Sequence, residues 1–66
     1  MEIILNGHHH PLDVEVALED FIAELALPAH AMAVAVNRTV IRRHDWSRCI
    51  LQANDRVDIV KAIGGG

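Results

Sequence analysis

The sequence predicts an α+β domain in which a mixed sheet packs on one main helix. Several short runs alternate apolar and polar residues and are separated by turn residues, which is typical of strands. One run in the first half of the chain instead repeats with the period of an amphipathic helix. The last predicted strand is apolar on both sides, which indicates the centre of a sheet. Helices gathered on one face of such a sheet make an α+β domain.

The first two strands are predicted to form a hairpin. Residues 1–5 alternate as a strand and are followed by Asn6 and Gly7. This dipeptide favours a type I′ turn, because both central residues of that turn need a positive φ. The second strand is predicted over residues 8–14. Because Pro11 has no N–H to donate, we expect this strand at an edge of the sheet.

A helix of about three turns is predicted next. Its apolar positions, spaced i, i+3, i+4 and i+7, are Leu18, Phe21, Ile22 and Leu25. Acidic residues near its start suit the helix dipole, and Pro28 is expected to stop it. Ala17 precedes the helix, where a capping Ser, Thr, Asp or Asn is the usual residue.

The second half of the chain is predicted to add three strands. Residues 31–36 read as a buried strand that is apolar on both faces, and residues 37–39 turn the chain into a short strand at 40–41. Asp45 is expected to cap a short helical turn. The last strand covers residues 56–63 and, being apolar on both sides, belongs at the sheet centre.

Composition excludes several classes of function. A single domain of 66 residues, 52% of them apolar, leaves little room for an enclosed enzyme pocket of roughly 300–1,000 Å³. The formal charge of −3 argues against nucleic acid, which needs a basic surface. No apolar run is long enough to span a membrane, and Glu2 stands where a signal peptide would be basic. With Cys49 as the lone cysteine, no internal disulfide forms, and we expect a cytoplasmic protein.

The chain is expected to divide into a folded domain, residues 1–63, and a flexible, reactive glycine tail, Gly64–Gly66. Extended, three glycines span about 10 Å. Because no Cβ projects from them, they can thread a slot that is too narrow for side chains. The α-carboxylate of Gly66 would then be presented inside a partner enzyme, where joining it to AMP would make it reactive towards sulfur or nitrogen nucleophiles.

Three stretches carry a resemblance to a known family. They are "MEIILNG" at the start, "VAVNRTVIRR" followed by Trp46 in the middle, and "NDRVDIVKAIGGG" at the end. Together with the helix pattern they cover nearly the whole chain. The sequence resembles the ThiS/MoaD family of sulfur carriers, which belongs to the ubiquitin-like β-grasp superfamily. It departs from that family in two places: Ala17 stands where Thr is common, and three glycines end the chain where two are the usual minimum.

The resemblance implies a protein co-substrate of thiamin biosynthesis rather than an enzyme. A ThiF-type adenylating enzyme, using ATP and Mg²⁺, would adenylate the Gly66 carboxylate, while Gly64 and Gly65 thread into that partner. A persulfide, formed from cysteine by a desulfurase, would displace AMP and leave a thiocarboxylate. The thiazole synthase ThiG would take its sulfur for the thiazole phosphate ring. No bound cofactor and no metal are expected on the carrier itself.

Three alternatives to the thiamin carrier stay open. One is a MoaD-like small subunit of molybdopterin synthase, whose relatives tend to carry prolines ahead of the glycines, where this chain has "VKAI". Another is a ubiquitin-like modifier that forms bonds to lysines. The third is a metal-binding or interaction domain built on His8, His9 and His10. On a strand only His8 and His10 share a face, so His30 or His44 would have to complete a site.

Three further features have a structural and a functional interpretation. Cys49 is expected to be a core residue, since it has no CxxC partner. Arg38, Arg42 and Arg43 form either a docking patch or a solvated turn. The exposed part of the sheet near the final strand, with Arg56, Asp58 and Lys61, is a second candidate docking surface.

Overall fold

A computed structural model describes residues 1–26 and 32–61, and in this part of the chain five strands form one mixed sheet. In chain order, the elements are β1 (Glu2–Leu5), β2 (His8–Pro11), α1 (Leu18–Glu24), β3 (Met32–Val36), β4 (Thr39–Ile41), a 3₁₀ helix (Arg43–Arg48) and β5 (Arg56–Lys61). The strand order across the sheet is β2-β1-β5-β3-β4. β1 and β5 are parallel and the other neighbours are antiparallel. The predicted α+β class is confirmed.

The β1–β2 hairpin has the predicted turn and the predicted edge position. Asn6 and Gly7 have φ values of 50° and 83°, as a type I′ turn requires. Beyond the strands, Met1 and Leu12 exchange two backbone hydrogen bonds of 2.9 and 2.8 Å. Because bonded and non-bonded pairs alternate in an antiparallel ladder, Pro11 then falls at a non-bonded position. Its nitrogen faces away from β1, where no donor is needed.

The second strand is shorter than the predicted range of residues 8–14. β2 ends at Pro11, and Val14 lies in a loop with 65% of its surface exposed. The chain leaves the sheet edge there to reach the helix. Leu12 is still buried, so the apolar alternation continues in the loop although the strand does not.

α1 packs on one face of the sheet and closes a single core. α1 has seven residues, about two turns, and is shorter than the predicted three turns. Pro28, the predicted stop, lies outside the described residues. The core consists of Ile3, Leu12, Leu18, Phe21, Ile22, Val34, Val36, Trp46, Leu51, Val57 and Ile59.

The start of α1 is held by backbone contacts. Ala17 is the N-cap residue and makes no side-chain capping bond, which confirms the missing cap seen in the sequence. The N–H of Leu18 donates to the carbonyl of Cys49 at 2.7 Å, and the N–H of Leu51 donates to Val16 at 2.9 Å. The segment after the 3₁₀ helix therefore anchors this end of α1.

The predicted helical turn exists, but Asp45 does not cap it. The N-cap residue of the 3₁₀ helix is Arg42, and the N–H of Asp45 donates to its carbonyl at 2.8 Å. Asp45 thus lies within the first turn, where a carboxylate still suits the helix dipole. Trp46 is buried and its indole N–H donates to the carbonyl of Ile41 at 3.0 Å.

β5 lies at the centre of the sheet, as predicted, but the second face of the sheet is not buried. Val57 and Ile59 point into the core, whereas Val60 is 59% exposed. In β3, Ala33 is likewise exposed, so the prediction of a strand buried on both faces is wrong. The reason is that, in the described part of the chain, both helices belong to one layer. The predicted domain end at Ile63 and the glycine tail lie outside the described residues.

Candidate functional site

The end of β5 is the base from which the chain continues towards the glycines. β5 remains paired with β3 to its last residue, through the register pairs Ala33↔Val60 and Met32↔Lys61. Both Val60 and Lys61 are exposed. The predicted reactive residues Gly64, Gly65 and Gly66 lie outside the described residues. Gly66 is the fifth residue after Lys61, so an extended chain would reach at most about 18 Å beyond β5.

An apolar hollow of about 320 Å³ lies beside this end of β5. It is lined by Leu5, Asn6, Leu25, Met32, Ile59 and Lys61. On its wall, the side-chain oxygen of Asn6 accepts a hydrogen bond of 2.8 Å from the backbone N–H of Ile59. The sequence around Asn6 indicates only a turn. It gives no sign of this contact, because the partners are 53 residues apart.

The open face of the sheet carries an apolar strip beside a charged pair. Val40 and Val60 are among its most exposed apolar residues. Arg56 and Asp58, both in β5, form an ion pair on this face, with Arg56 Nε and Asp58 Oδ2 3.3 Å apart. Lys61 alternates with Val60 and lines the hollow on the helix side of the sheet. Of the three charged residues predicted for this surface, only Arg56 and Asp58 therefore lie on the open face.

The three arginines predicted as a docking patch are all exposed but lie in two structural settings. Arg38 occupies the β3–β4 turn with a φ of 70°. Arg42 and Arg43 lie at the start of the 3₁₀ helix, in the helix layer. Arg43 lines a shallow hollow there together with Glu19 of α1. Exposure alone is compatible with either predicted role.

The histidine run is divided between the two faces of β2. His9 faces the open side, where its Nδ1 lies 2.6 Å from Oε1 of Glu2. The ring of His10 packs edge-on against Phe21, with centroids 5.3 Å apart. Within residues 1–26 and 32–61, no three His, Cys, Asp or Glu side chains are grouped so that they could hold a metal ion. His30 lies outside these ranges.

Cys49 packs against the core, as predicted. It is half-buried. Burial, and to a smaller extent the negative charge of Asp55, raise the pKa of its thiol above the ordinary value. A raised pKa disfavours the thiolate, which is the nucleophilic form. The environment of Cys49 is therefore opposite to that of a transfer thiol.

The described helices are too short for a transmembrane role. None of those in residues 1–26 and 32–61 has the length and apolar character needed to cross a bilayer.

Comparison with solved structures identifies the fold. A crystal structure of the thiamine biosynthesis protein ThiS from Geobacter metallireducens superposes with a TM-score of 0.90, with full coverage of both chains and 22% identity. A solution NMR structure of a thiamine biosynthesis protein from the same organism gives a TM-score of 0.80, covering 100% of this chain and 88% of that one. The fold is therefore the ubiquitin-like β-grasp that the resemblance implied.

Comparison of sequences identifies the family. A thiazole synthase from Magnetococcus marinus (strain ATCC BAA-1437 / JCM 17883 / MC-1) is 33% identical over 66 residues. The match takes in all of this chain but only 20% of that protein, so the chain spans about a fifth of the length of this curated relative. The model of the ThiS family matches residues 3–66. The predicted resemblance is confirmed, and the chain belongs to the ThiS family.

Proposed function

We propose that this protein is the sulfur carrier of thiamin biosynthesis and that the Gly66 carboxylate carries the sulfur. The observation on which the proposal depends is the junction between β5 and the glycines. β5 is the central strand of the sheet, with neighbours on both sides, and the glycine tail follows it after only two residues. Glycines that follow the central strand could enter a partner's active site while the folded domain docks outside it.

The proposed chemistry proceeds through two intermediates. The Gly66 carboxylate attacks the α-phosphorus of ATP on the adenylating enzyme and releases pyrophosphate, which leaves an acyl adenylate. A persulfide from a cysteine desulfurase then attacks the acyl carbon, AMP leaves with the C–O electron pair, and an acyl disulfide forms. A thiol reduces its S–S bond, is itself oxidised to a disulfide, and releases the thiocarboxylate. The carrier is a co-substrate and binds no cofactor, since ATP and Mg²⁺ belong to the ThiF-type enzyme. Because these steps consume ATP, we place them in the cytoplasm.

Thiazole synthase is the proposed acceptor of the sulfur. Support comes from the Magnetococcus marinus thiazole synthase, which contains a stretch similar to this whole chain within a polypeptide about five times as long. A carrier segment joined to that enzyme would act at high effective concentration. We propose that the present chain makes the same encounter with a separate ThiG protein.

The partner is proposed to dock beside the end of β5, on the open face of the sheet. Val60 supplies an exposed apolar anchor on this face, where the Arg56–Asp58 ion pair supplies charges. Gly66 is the sixth residue after Val60, at most about 22 Å away along an extended chain. The helix layer lies on the other side of the sheet, so this position leaves the core contacts undisturbed. An apolar centre with a charged neighbour is the usual composition of such interfaces.

Reconstitution tests the proposal directly. The protein is incubated with a ThiF-type enzyme, Mg²⁺-ATP, a persulfide donor and a thiol, and its intact mass is measured with localisation to the C-terminal peptide. We expect an exchange of one oxygen for sulfur on Gly66, and transfer of that sulfur when thiazole synthase and its small substrates are added. Absence of both adenylate and thiocarboxylate would contradict the proposal, and accumulation of isopeptide conjugates would favour a protein modifier.

A further inference from the structure

β5 continues beyond the strand that supports it on one side. β1 pairs with β5 only through Ile4↔Arg56 and Leu5↔Val57, and then turns away at Asn6-Gly7. β5 runs on for four more residues to Lys61. Its other edge stays paired with β3 from Val57 to Lys61. The last part of β5, which leads to the glycines, is therefore supported unequally by its two neighbouring strands.

The side chain of Asn6 continues the ladder where β1 ends. The backbone N–H of Asn6 donates to the carbonyl of Val57 at 2.9 Å, which is the last backbone bond between this side and β5. The next group of β5 on the same edge is the N–H of Ile59, and the Asn6 side-chain oxygen accepts it at 2.8 Å in a partly buried position. The side chain of Asn6 thus adds a hydrogen bond to this edge of β5 where no strand pairs with it, two residues before the described end of β5.

A second asparagine makes the same kind of contact at the opposite end of β5. Asn37 lies in the β3–β4 turn with a φ of 51°, against 50° for Asn6. Its side-chain oxygen accepts the backbone N–H of Arg56 at 3.0 Å, and its amide donates to Asp55 at 3.1 Å. The two asparagines therefore share turn geometry and bond type and differ in position. Arg56 lies five residues from Lys61, about 17 Å along the strand, whereas Ile59 lies two residues away, about 7 Å.

We infer that Asn6 is a positioning residue for the sulfur carrier: its side chain fixes the end of β5 and thereby the direction in which the glycine tail leaves. The inference rests on the function proposed above. Without this bond the N–H of Ile59 loses its acceptor at a residue that is 8% exposed, and the end of β5 can part from the β1 side. A smaller fraction of the carrier molecules then holds the tail in the direction that the adenylating enzyme accepts, which raises KM. Once bound, the carboxylate reacts as before.

Substitutions that keep the turn separate the two roles of Asn6. Asn6→Gly retains the positive φ at no steric cost and makes Gly-Gly, an accepted type I′ pair, but it removes the oxygen. Asn6→Asp makes Asp-Gly, also accepted in this turn, and keeps an oxygen that can accept the N–H of Ile59. Asn37→Gly is the matched control, because it removes the same kind of bond and one more at the remote end of β5.

The experiment measures KM and kcat for the carrier in ATP–pyrophosphate exchange with the adenylating enzyme, together with amide hydrogen exchange at Ile59 and Val60. For Asn6→Gly we expect KM to rise about fivefold, the factor that corresponds to losing one ordinary hydrogen bond, with kcat nearly unchanged. Exchange at Ile59 and Val60 should quicken. Asn6→Asp should keep the KM and the amide exchange rates of the wild type. Asn37→Gly should lower the free energy of unfolding without raising KM.

Three results would overturn the inference: a wild-type KM in Asn6→Gly, an equal rise in Asn37→Gly, or no rescue by Asn6→Asp. If the wild-type protein is no substrate at all, the proposed function fails and hydrogen exchange still decides the role of Asn6. Faster exchange at Ile59 and Val60 in Asn6→Gly than in Asn37→Gly would support the anchoring of β5. Equal exchange would refute it.

Discussion

Replacing Ala17 with serine should stabilise the protein, because Ala17 occupies a helix N-cap and has no group with which to cap. Its backbone is already extended, with φ −71° and ψ 146°, so the substitution needs no rearrangement. A serine hydroxyl at this position can accept from the N–H groups of Glu19 or Asp20, the N2 and N3 positions that capping side chains satisfy.

The expected gain follows from what already holds this end of the helix. Exchanging a capping side chain for alanine costs about 1 kcal/mol, within a range of roughly 0.5–2. The N–H of Leu18 is already bonded to Cys49, and the carboxylates of Glu19 and Asp20 already favour the helix dipole. We therefore expect a gain at the lower end, about 0.5–1 kcal/mol. In a protein of this size that raises Tm by roughly 2–8 °C.

Urea and thermal unfolding, followed by the fluorescence of Trp46, measure this change. Trp46 is the only tryptophan, is 3% exposed, and lies on the 3₁₀ helix that packs against α1. Ala23→Ser is the matched control, since Ala23 is exposed within the same helix, where serine costs about 0.5 kcal/mol relative to alanine. The two identical substitutions should move stability in opposite directions. An Ala17→Ser variant that is no more stable than the wild type would refute the capping argument.

Three other predictions concern the tail, the docking surface and the thiol. Gly65→Val should leave Tm unchanged but lower the rate of adenylation about a hundredfold, because a side chain blocks threading and misplaces the carboxylate; normal adenylate formation would contradict threading. Val60→Asp should raise KM for the adenylating enzyme about tenfold. Val14→Asp, a similarly exposed change in the loop between β2 and α1, should leave KM unchanged, and equal effects of the two substitutions would exclude the β5 surface. The pKa of the Cys49 thiol is raised, so the folded state holds the thiol proton more tightly than the unfolded state does. The neutral thiol therefore contributes its full stabilisation below the ordinary pKa of 9.0, and this stabilisation declines as the pH rises beyond that value. Unfolding at a series of alkaline pH values should therefore show a steeper loss for the wild type than for Cys49→Ser, and parallel curves would contradict the shift.

The sequence by itself determined the kinds of element, the edge position of the second strand and the central position of the last. Apolar periodicity, the Asn6-Gly7 turn and the missing N–H of Pro11 depend on residues adjacent in the chain, and the structure confirms the hairpin, the edge strand and the central strand. The missing cap at Ala17 was also visible locally. The family could be recognised because its motifs are contiguous stretches, and the match over residues 3–66 confirms it.

Only the tertiary structure decided which surfaces are covered and which distant groups meet. Apolar residues on both sides of β3 and β5 suggested two buried faces, but a sheet face is buried only where a second layer packs on it, and α1 covers one. The end of the second strand depended on where the chain leaves the sheet edge to reach the helix, which no local pattern indicates. The bond between Asn6 and Ile59 is of the same kind: it joins residues 53 positions apart, and only the parallel pairing of β1 with β5 brings them together.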